Sequence, residues 1–274
     1  MTPTMTPTVP VLPLQSADEV WSRVAAHVKE AKDASELRPV VASDGDGTLW
    51  SGDVGEDLFH AFIDRGRVGE PGLSALRREA REHAISDAGT GPDVARRINE
   101  AYEQGRFPEE RMFEIMAWCF AGWTRAEATA FARDTVERAG VKGRLHPEAL
   151  RLLDRARQAG LEVVLVSASP LLVVEAAGAL AGFDAGHVVA ARCRYEGDIM
   201  MAEVERPIPY AGGKVANLRA RIGGRPLLAA LGDNAFDVEM LASARVGVAV
   251  RPKPRLRERA PMVPGLVELA PEAG

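Results

Sequence analysis

Short runs of apolar residues, each stopped abruptly by small or acidic ones, punctuate the chain. The first, 39–43, reads Pro-Val-Val-Ala-Ser and halts at Asp44-Gly45-Asp46-Gly47. Three more lie at 161–166, 226–231 and 246–250. A run apolar on both faces suits a central parallel strand covered by helices, not a strand with one wet face. Between the runs the apolar spacing becomes helical, at 147–158, 171–181, 214–222 and 236–244. Strands alternating with helices predict right-handed crossovers and an open α/β fold with a parallel sheet. Residues 192–204 predict a local hairpin that turns at Glu196-Gly197-Asp198.

Two stretches depart from this alternation. Residues 52–145 carry helical spacing in five segments, near 56–65, 73–85, 92–104, 108–120 and 124–139, separated by glycine-rich turns. An all-helical block between two parallel strands predicts an inserted domain at 52–145, with 16–51 and 146–274 forming the core. At the other end, residues 1–15 are rich in Thr and Pro and read as a mobile leader. Ser16-Ala17-Asp18-Glu19 then has the form of a capping box, with Val20, Trp21, Val24 and Val28 following at helical spacing. A helix to about residue 32 is expected.

With 274 residues the chain is long enough for one large domain or a core with one sizeable insertion. Its 46% apolar and 27% charged content is that of an ordinary globular protein, which excludes a disordered, collagenous or disulfide-stapled class. A net charge of −5 gives no electrostatic reason to expect nucleic acid or an anionic membrane as partner. No run approaches the ~20 apolar residues of a membrane span, and the first residues lack the basic start of a secretory signal. Only Cys119 and Cys193 occur, which fits a reducing compartment. A cytoplasmic protein is expected.

In open parallel sheets ligands sit at the carboxyl ends of the strands, so what ends each run carries the chemistry. The first run ends in Asp44 and Asp46, the second in Ser167, the third in Gly232-Asp233-Asn234, with Asp237 four residues on. Lys214 opens the helix before the third run. Each piece alone has a plain structural explanation, since Asp-Gly forms turns and strand-ending Ser or Asp caps helices. Together, each at a strand end or helix start, they would place acids, a hydroxyl and an amine in one crevice.

Asp44-Gly45-Asp46-Gly47-Thr48-Leu49 resembles the D-x-D-G-T-hydrophobic first motif of the haloacid dehalogenase superfamily. Ser167, Lys214 and Gly232-Asp233…Asp237 are similar to its second, third and fourth motifs, so the resemblance spans about 40–250. It implies a Rossmann-like core whose central parallel sheet is flanked by helices, with 52–145 as a C1-type helical cap. The second acid, Asp46, points to the phosphatase branch, most like phosphoserine-phosphatase-type members. The chain departs from them in Ser167-Ala168-Ser169 and in Phe236, where they commonly carry Ser-Gly-Gly and Asn.

Cleaving a phosphate ester needs a nucleophile, a proton donor for the leaving oxygen and positive charge around the phosphoryl group. Asp44 is the expected nucleophile and Asp46 the expected acid and base. The resemblance implies Mg²⁺ held by the Asp44 side chain, the Asp46 backbone carbonyl and the Asp233 side chain, with Asp237 binding a metal water or steadying Lys214, and Asn234 beside the metal and its waters. It further implies that Ser167 and Lys214 hold phosphoryl oxygens. The expected activity is removal of a phosphoryl group from a small phosphorylated metabolite through an aspartyl-phosphate. Alternatives are a phosphotransferase or mutase using the same intermediate, or a non-catalytic homologue that binds the ligand.

Substrate contacts are sought where the chain enters the insertion. Asp53 and Glu56 stand there, at about the place where phosphoserine phosphatases put an acid that meets the substrate amine. Trp50, with Trp118 and Trp123, could cage a quaternary ammonium or could simply pack in the interior. Arg106 and Arg111 could clamp a carboxylate or lie solvated at the surface.

Overall fold

The computed structural model describes residues 10–34 and 37–272. The chain begins with β1 (Leu14–Gln15) and α1 (Ala17–Ala34). The capping box closes as its spacing requires: Ser16 N donates to Glu19 Oε2 at 2.7 Å, and Glu19 N returns to Ser16 Oγ at 3.3 Å. Next comes β2 (Val40–Ser43), fully buried. Five helices follow: α2 (Val54–Arg65), α3 (Glu70–Glu82), α4 (Gly91–Glu103), α5 (Glu109–Trp118) and α6 (Arg125–Arg138). Capping boxes at Thr90–Asp93 and Thr124–Glu127 start two of these.

The chain then alternates between helix and strand. It forms α7 (Pro147–Gln158), β3 (Glu162–Pro170), α8 (Leu171–Leu180) and β4 (Val188–Ala191). An antiparallel ribbon of β5 (Cys193–Glu196) and β6 (Ile199–Val204) interrupts, where the hairpin was expected. The remainder is α9 (Gly212–Ile222), β7 (Leu227–Gly232), α10 (Val238–Ala242), β8 (Val246–Val250), α11 (Pro254–Arg259) and β9 (Val267–Leu269).

Seven strands form one sheet in the order β1-β9-β8-β7-β2-β3-β4, every pairing parallel. The α/β class with a central parallel sheet flanked by helices is what the doubly apolar runs require. The strand order reverses direction at β2, which lies between β7 and β3. The carboxyl ends of neighbouring strands diverge at such a point and leave a crevice. The acids, hydroxyl and amine picked from the sequence belong to elements that end or begin there.

The leader needs correction. Its first nine residues lie outside those described, but Leu14 and Gln15 pair with Glu268 and Leu269, and Leu12 is buried. Backbone bonds from Glu268 N to Pro13 O and from Ala270 N to Gln15 O bring this segment in as an edge strand. The helices between β2 and β3 share one apolar interior with the sheet, and within it Phe120 meets the rings of Phe62, Trp123 and Phe131 with centroids 4.9, 5.2 and 5.4 Å apart. Among the described residues, no helix is long and apolar enough to cross a membrane.

Candidate active site

A cavity of about 330 Å³ opens over the carboxyl edge of the sheet at β2. Asp44, the residue after β2, is 4% exposed and donates its backbone N–H to Leu231 O on β7. Lys214 Nζ donates to Asp44 Oδ1 at 2.6 Å and to Asp237 Oδ1 at 2.5 Å. Thr48 Oγ1 donates to Asp44 Oδ2 at 3.1 Å and lies 3.4 Å from Asp233 Oδ1. Gly47 makes the tight return possible: its φ is +81°, and a Cβ there would collide with the Asp233 carboxylate.

Asp46 is held differently. Its Oδ1 accepts from Trp50 Nε1 and from Val54 N, each at 2.8 Å. Its Oδ2 accepts from Ser169 Oγ at 2.7 Å and Ser167 Oγ at 3.3 Å. Four donors therefore orient one carboxylate toward the same cavity that Asp44 lines. Ser169 also lies 3.5 Å from Asp53, which caps α2 by accepting from Gly55 N and Glu56 N.

Charge in the site is dominated by acids. Burial pushes the pKa of Asp44 well above its ordinary value; Lys214 opposes this, and Asp237, Asp233 and Asp46 add to it. For Asp233 burial acts first and Asp237 adds to it, with Lys253 countering. Burial alone would lower Lys214, but Asp237 and Asp44 hold its pKa above that of a free lysine, so it is an ammonium. Like charges gathered out of water call for more positive charge than Lys214 and Lys253 bring.

A donor set of this chemistry fits a hard divalent cation. One oxygen each from Asp44, Asp233 and Asp237 lies within 4.8 Å of the others. Asp237 is the least available of the three. Its Oδ1 holds Lys214, while its Oδ2 accepts from Asp233 N at 3.1 Å and Asn234 N at 2.9 Å. It ties the fourth motif to Lys214 instead of facing outward. Asn234 caps the turn that follows, through Ala235 N, and its residue lines the cavity.

The structure brings Asp44, Asp46, Ser167, Lys214, Asp233 and Asn234 to one cavity, with Asp53 and Glu56 on its rim. Three expected substrate contacts are elsewhere. Trp50 is fully buried and serves Asp46 through its indole N–H, so it is a support and not a wall. Arg106 bonds Gln104 in an exposed turn. Arg111 pairs with the buried Glu79 and Glu114, because two carboxylates without solvent demand a cation. Trp118 and Trp123 are interior as well, the latter donating to Arg67 O.

Several residues of the site escaped the sequence. Ser169 is two positions beyond Ser167 on β3 and so on the same face, a period-two signal that was available. Lys253 lies just past the end of β8 and donates to Asp233 Oδ2 at 2.8 Å. A basic residue beyond a core strand was the clue there. Phe236, marked only as the fourth motif's departure, completes the walls with Tyr102, Glu109, Phe113 and Tyr210, which nothing local marks.

The model of the haloacid dehalogenase-like hydrolases matches residues 41–242. This chain belongs to that family. Among solved structures, a Bordetella pertussis Tohama I protein of unknown function is 22% identical with a TM-score of 0.66, over 85% of this chain and 99% of that one. A functionally unknown protein from Anaerococcus prevotii DSM 20548 is 15% identical with a TM-score of 0.63, over 90% and 88%. A substrate-bound phosphoserine phosphatase, 16% identical, gives 0.50 over 85% and 94%. At these identities the likeness is one of fold. No curated protein matches the sequence.

Proposed function

We propose that this chain is a phosphomonoesterase that acts on a small phosphorylated metabolite through an aspartyl-phosphate. One observation carries the reading. The Asp44 carboxylate faces a cavity while gripped by Lys214, and a second carboxylate two residues on faces that same cavity, oriented by four donors.

A carboxylate oxygen of Asp44 attacks phosphorus as the bond from phosphorus to the alcohol oxygen breaks. Asp46 reacts in its protonated form, the Oδ2 proton resting on the Ser167 or Ser169 hydroxyl as acceptor; it gives that proton to the departing oxygen, and the alcohol leaves. A water then attacks the phosphorus of the aspartyl-phosphate, its proton passing to the Asp46 carboxylate. Inorganic phosphate departs, and both acids return to their starting forms. Lys214 keeps the Asp44 charge in place, and Ser167 with Lys214 offers donors to the phosphoryl oxygens. Mg²⁺, held by Asp44, Asp233 and the Asp46 backbone carbonyl, would supply positive charge to the phosphoryl group and relieve repulsion among the acids.

Residues 52–145 act as a cap in this reading, since Tyr102, Glu109 and Phe113 from α4 and α5 roof the cavity. Closing it excludes water and limits the substrate to small molecules. The two cysteines, both buried and free, suit a cytoplasmic setting.

The test is phosphate release from a panel of small phosphoesters, with Mg²⁺ or with chelator, and with or without an alcohol acceptor. Mg²⁺-dependent release is expected, reduced at least about a thousandfold by Asp44→Asn. Transfer to the alcohol in place of water would make the chain a phosphotransferase, and undiminished release by Asp44→Asn would refute the reading.

A further inference from the structure

The cavity has two chemically different ends. Beside the sheet lie the reacting acids and two lysines, each lysine already on a carboxylate. Away from the sheet the walls are aromatic and acidic. Phe236, from the loop between Asp233 and Asp237, packs on Tyr210 with ring centroids 4.7 Å apart. Tyr210 packs in turn on Phe113 of α5 at 5.6 Å. The Tyr210 hydroxyl donates to Glu109 Oε2 at 3.3 Å. Three mutually tilted rings from three separate segments thus line this part of the cavity beside a carboxylate.

Glu56 and Glu109 form no ion pair among the described residues, and Asp53 meets only backbone donors and a serine. Burial, and then the nearby Asp46 charge, raises the pKa of Asp53, and burial raises Glu56. Among the described residues no arginine and no histidine lines the cavity. Recognition of a carboxylate calls for a cationic fork, and the two arginines expected to supply one are turned elsewhere. The cations that act on this end, His60 on Glu56 and Arg255 on Tyr210, stand outside the lining.

We propose that the alcohol portion of the substrate is an organic cation without a carboxylate, a phosphate ester of an amino alcohol, primary or N-methylated. The ammonium would sit between the faces of Tyr210 and Phe236 and the carboxylates of Glu109 and Glu56, where ring quadrupoles and acids both favour it. This inference rests on the phosphomonoesterase reading.

The experiment compares kcat/KM of the full chain with Mg²⁺ for choline phosphate, ethanolamine phosphate, the uncharged isostere 3,3-dimethylbutyl phosphate and phosphoserine. Nitrophenyl phosphate reports on the hydrolytic machinery alone. At least one cationic ester is expected to exceed both the isostere and phosphoserine by about tenfold or more, the ratio expected of a desolvated cation–π contact. Glu109→Gln is expected to shrink the cation-to-isostere ratio at least about threefold. If nitrophenyl phosphate is hydrolysed while the isostere or phosphoserine matches the cationic esters, the inference is overturned and the phosphatase reading survives. A protein inert to every ester overturns both. Should Glu109→Gln not fold, the ratios of the unaltered chain decide alone.

Discussion

On the sheet side of the cavity the reacting carboxylates are tied down, whereas on the helical side most are not. Asp44 holds Lys214 and Thr48, Asp46 accepts from four donors, and Asp233 holds Lys253. Across the cavity, among the described residues, Glu56 forms no ion pair and Glu109 accepts from the Tyr210 hydroxyl. Fixed dipoles around reacting atoms cost no reorganisation when charge develops, so the sheet side is built for one reaction. Loosely engaged acids beside aromatic faces are built to receive something. In the proposed reading the first side carries the chemistry and the second the choice of substrate.

The sharpest break in that contrast is Asp46→Asn. The amide can keep its oxygen toward Trp50 Nε1 and Val54 N while its NH₂ donates to the hydroxyls of Ser167 and Ser169, which can also accept. The fold should survive, and rates should fall about 10²- to 10⁴-fold for alkyl phosphates, the span of general acid–base catalysis. The loss should be far smaller for nitrophenyl phosphate, whose leaving oxygen needs little protonation. Equal losses in steady-state assays of both esters would remove Asp46 from the acid's role.

A change within the helical insertion should act in the opposite sense. Arg111→Ala leaves the buried Glu79 and Glu114 with less positive charge, only Arg206 still reaching Glu114 at 2.6 Å. Breaking a buried pair is costly; because Arg111 is partly exposed, about 2–3 kcal/mol of stability should go, read from denaturant midpoints. KM should not move. A raised KM with unchanged stability would put Arg111 back at the substrate.

The smallest effect concerns neither side. Glu162, at the start of β3, is gripped by Arg225, a hydrogen-bonded pair that holds its pKa below the ordinary carboxylate range. A depressed folded pKa means stability that is present above the unfolded value of about 4.3 and lost as pH falls through the folded one. Glu162→Gln should therefore cost about 1 kcal/mol at pH 7, and the gap to the unaltered chain should close in strong acid. Denaturant midpoints across the acid range check it; a gap that persists there would show that the pair's charge is not what Gln removes.

The same contrast explains what the sequence disclosed. β2, β3, β7 and β8 are central strands buried on both faces, so their apolar runs were readable; β2 and β7 lead into Asp44 and Asp233, and Ser167 lies within β3. β1 and β9 have two and three residues, too short for any period to emerge, while β4, with four buried residues like β2, ends in no acid or hydroxyl to set it apart. The helices of the insertion were readable from spacing, yet not which of their side chains face the cavity. Tyr102, Phe113, Tyr210 and Phe236 meet only through the tertiary fold, and aromatic residues at helical spacing look alike whether they line a site or pack inside. The tryptophans chosen for that role, Trp118 and Trp123, are packed inside.

The central claim is that phosphorus passes through Asp44. Acid quenching during turnover, followed by peptide mass analysis, tests it most directly. One phosphoryl group is expected on the peptide that contains Asp44, absent when substrate is omitted and absent in Asp44→Asn. A phosphoryl group found on another residue, or one that persists in Asp44→Asn, would contradict the account.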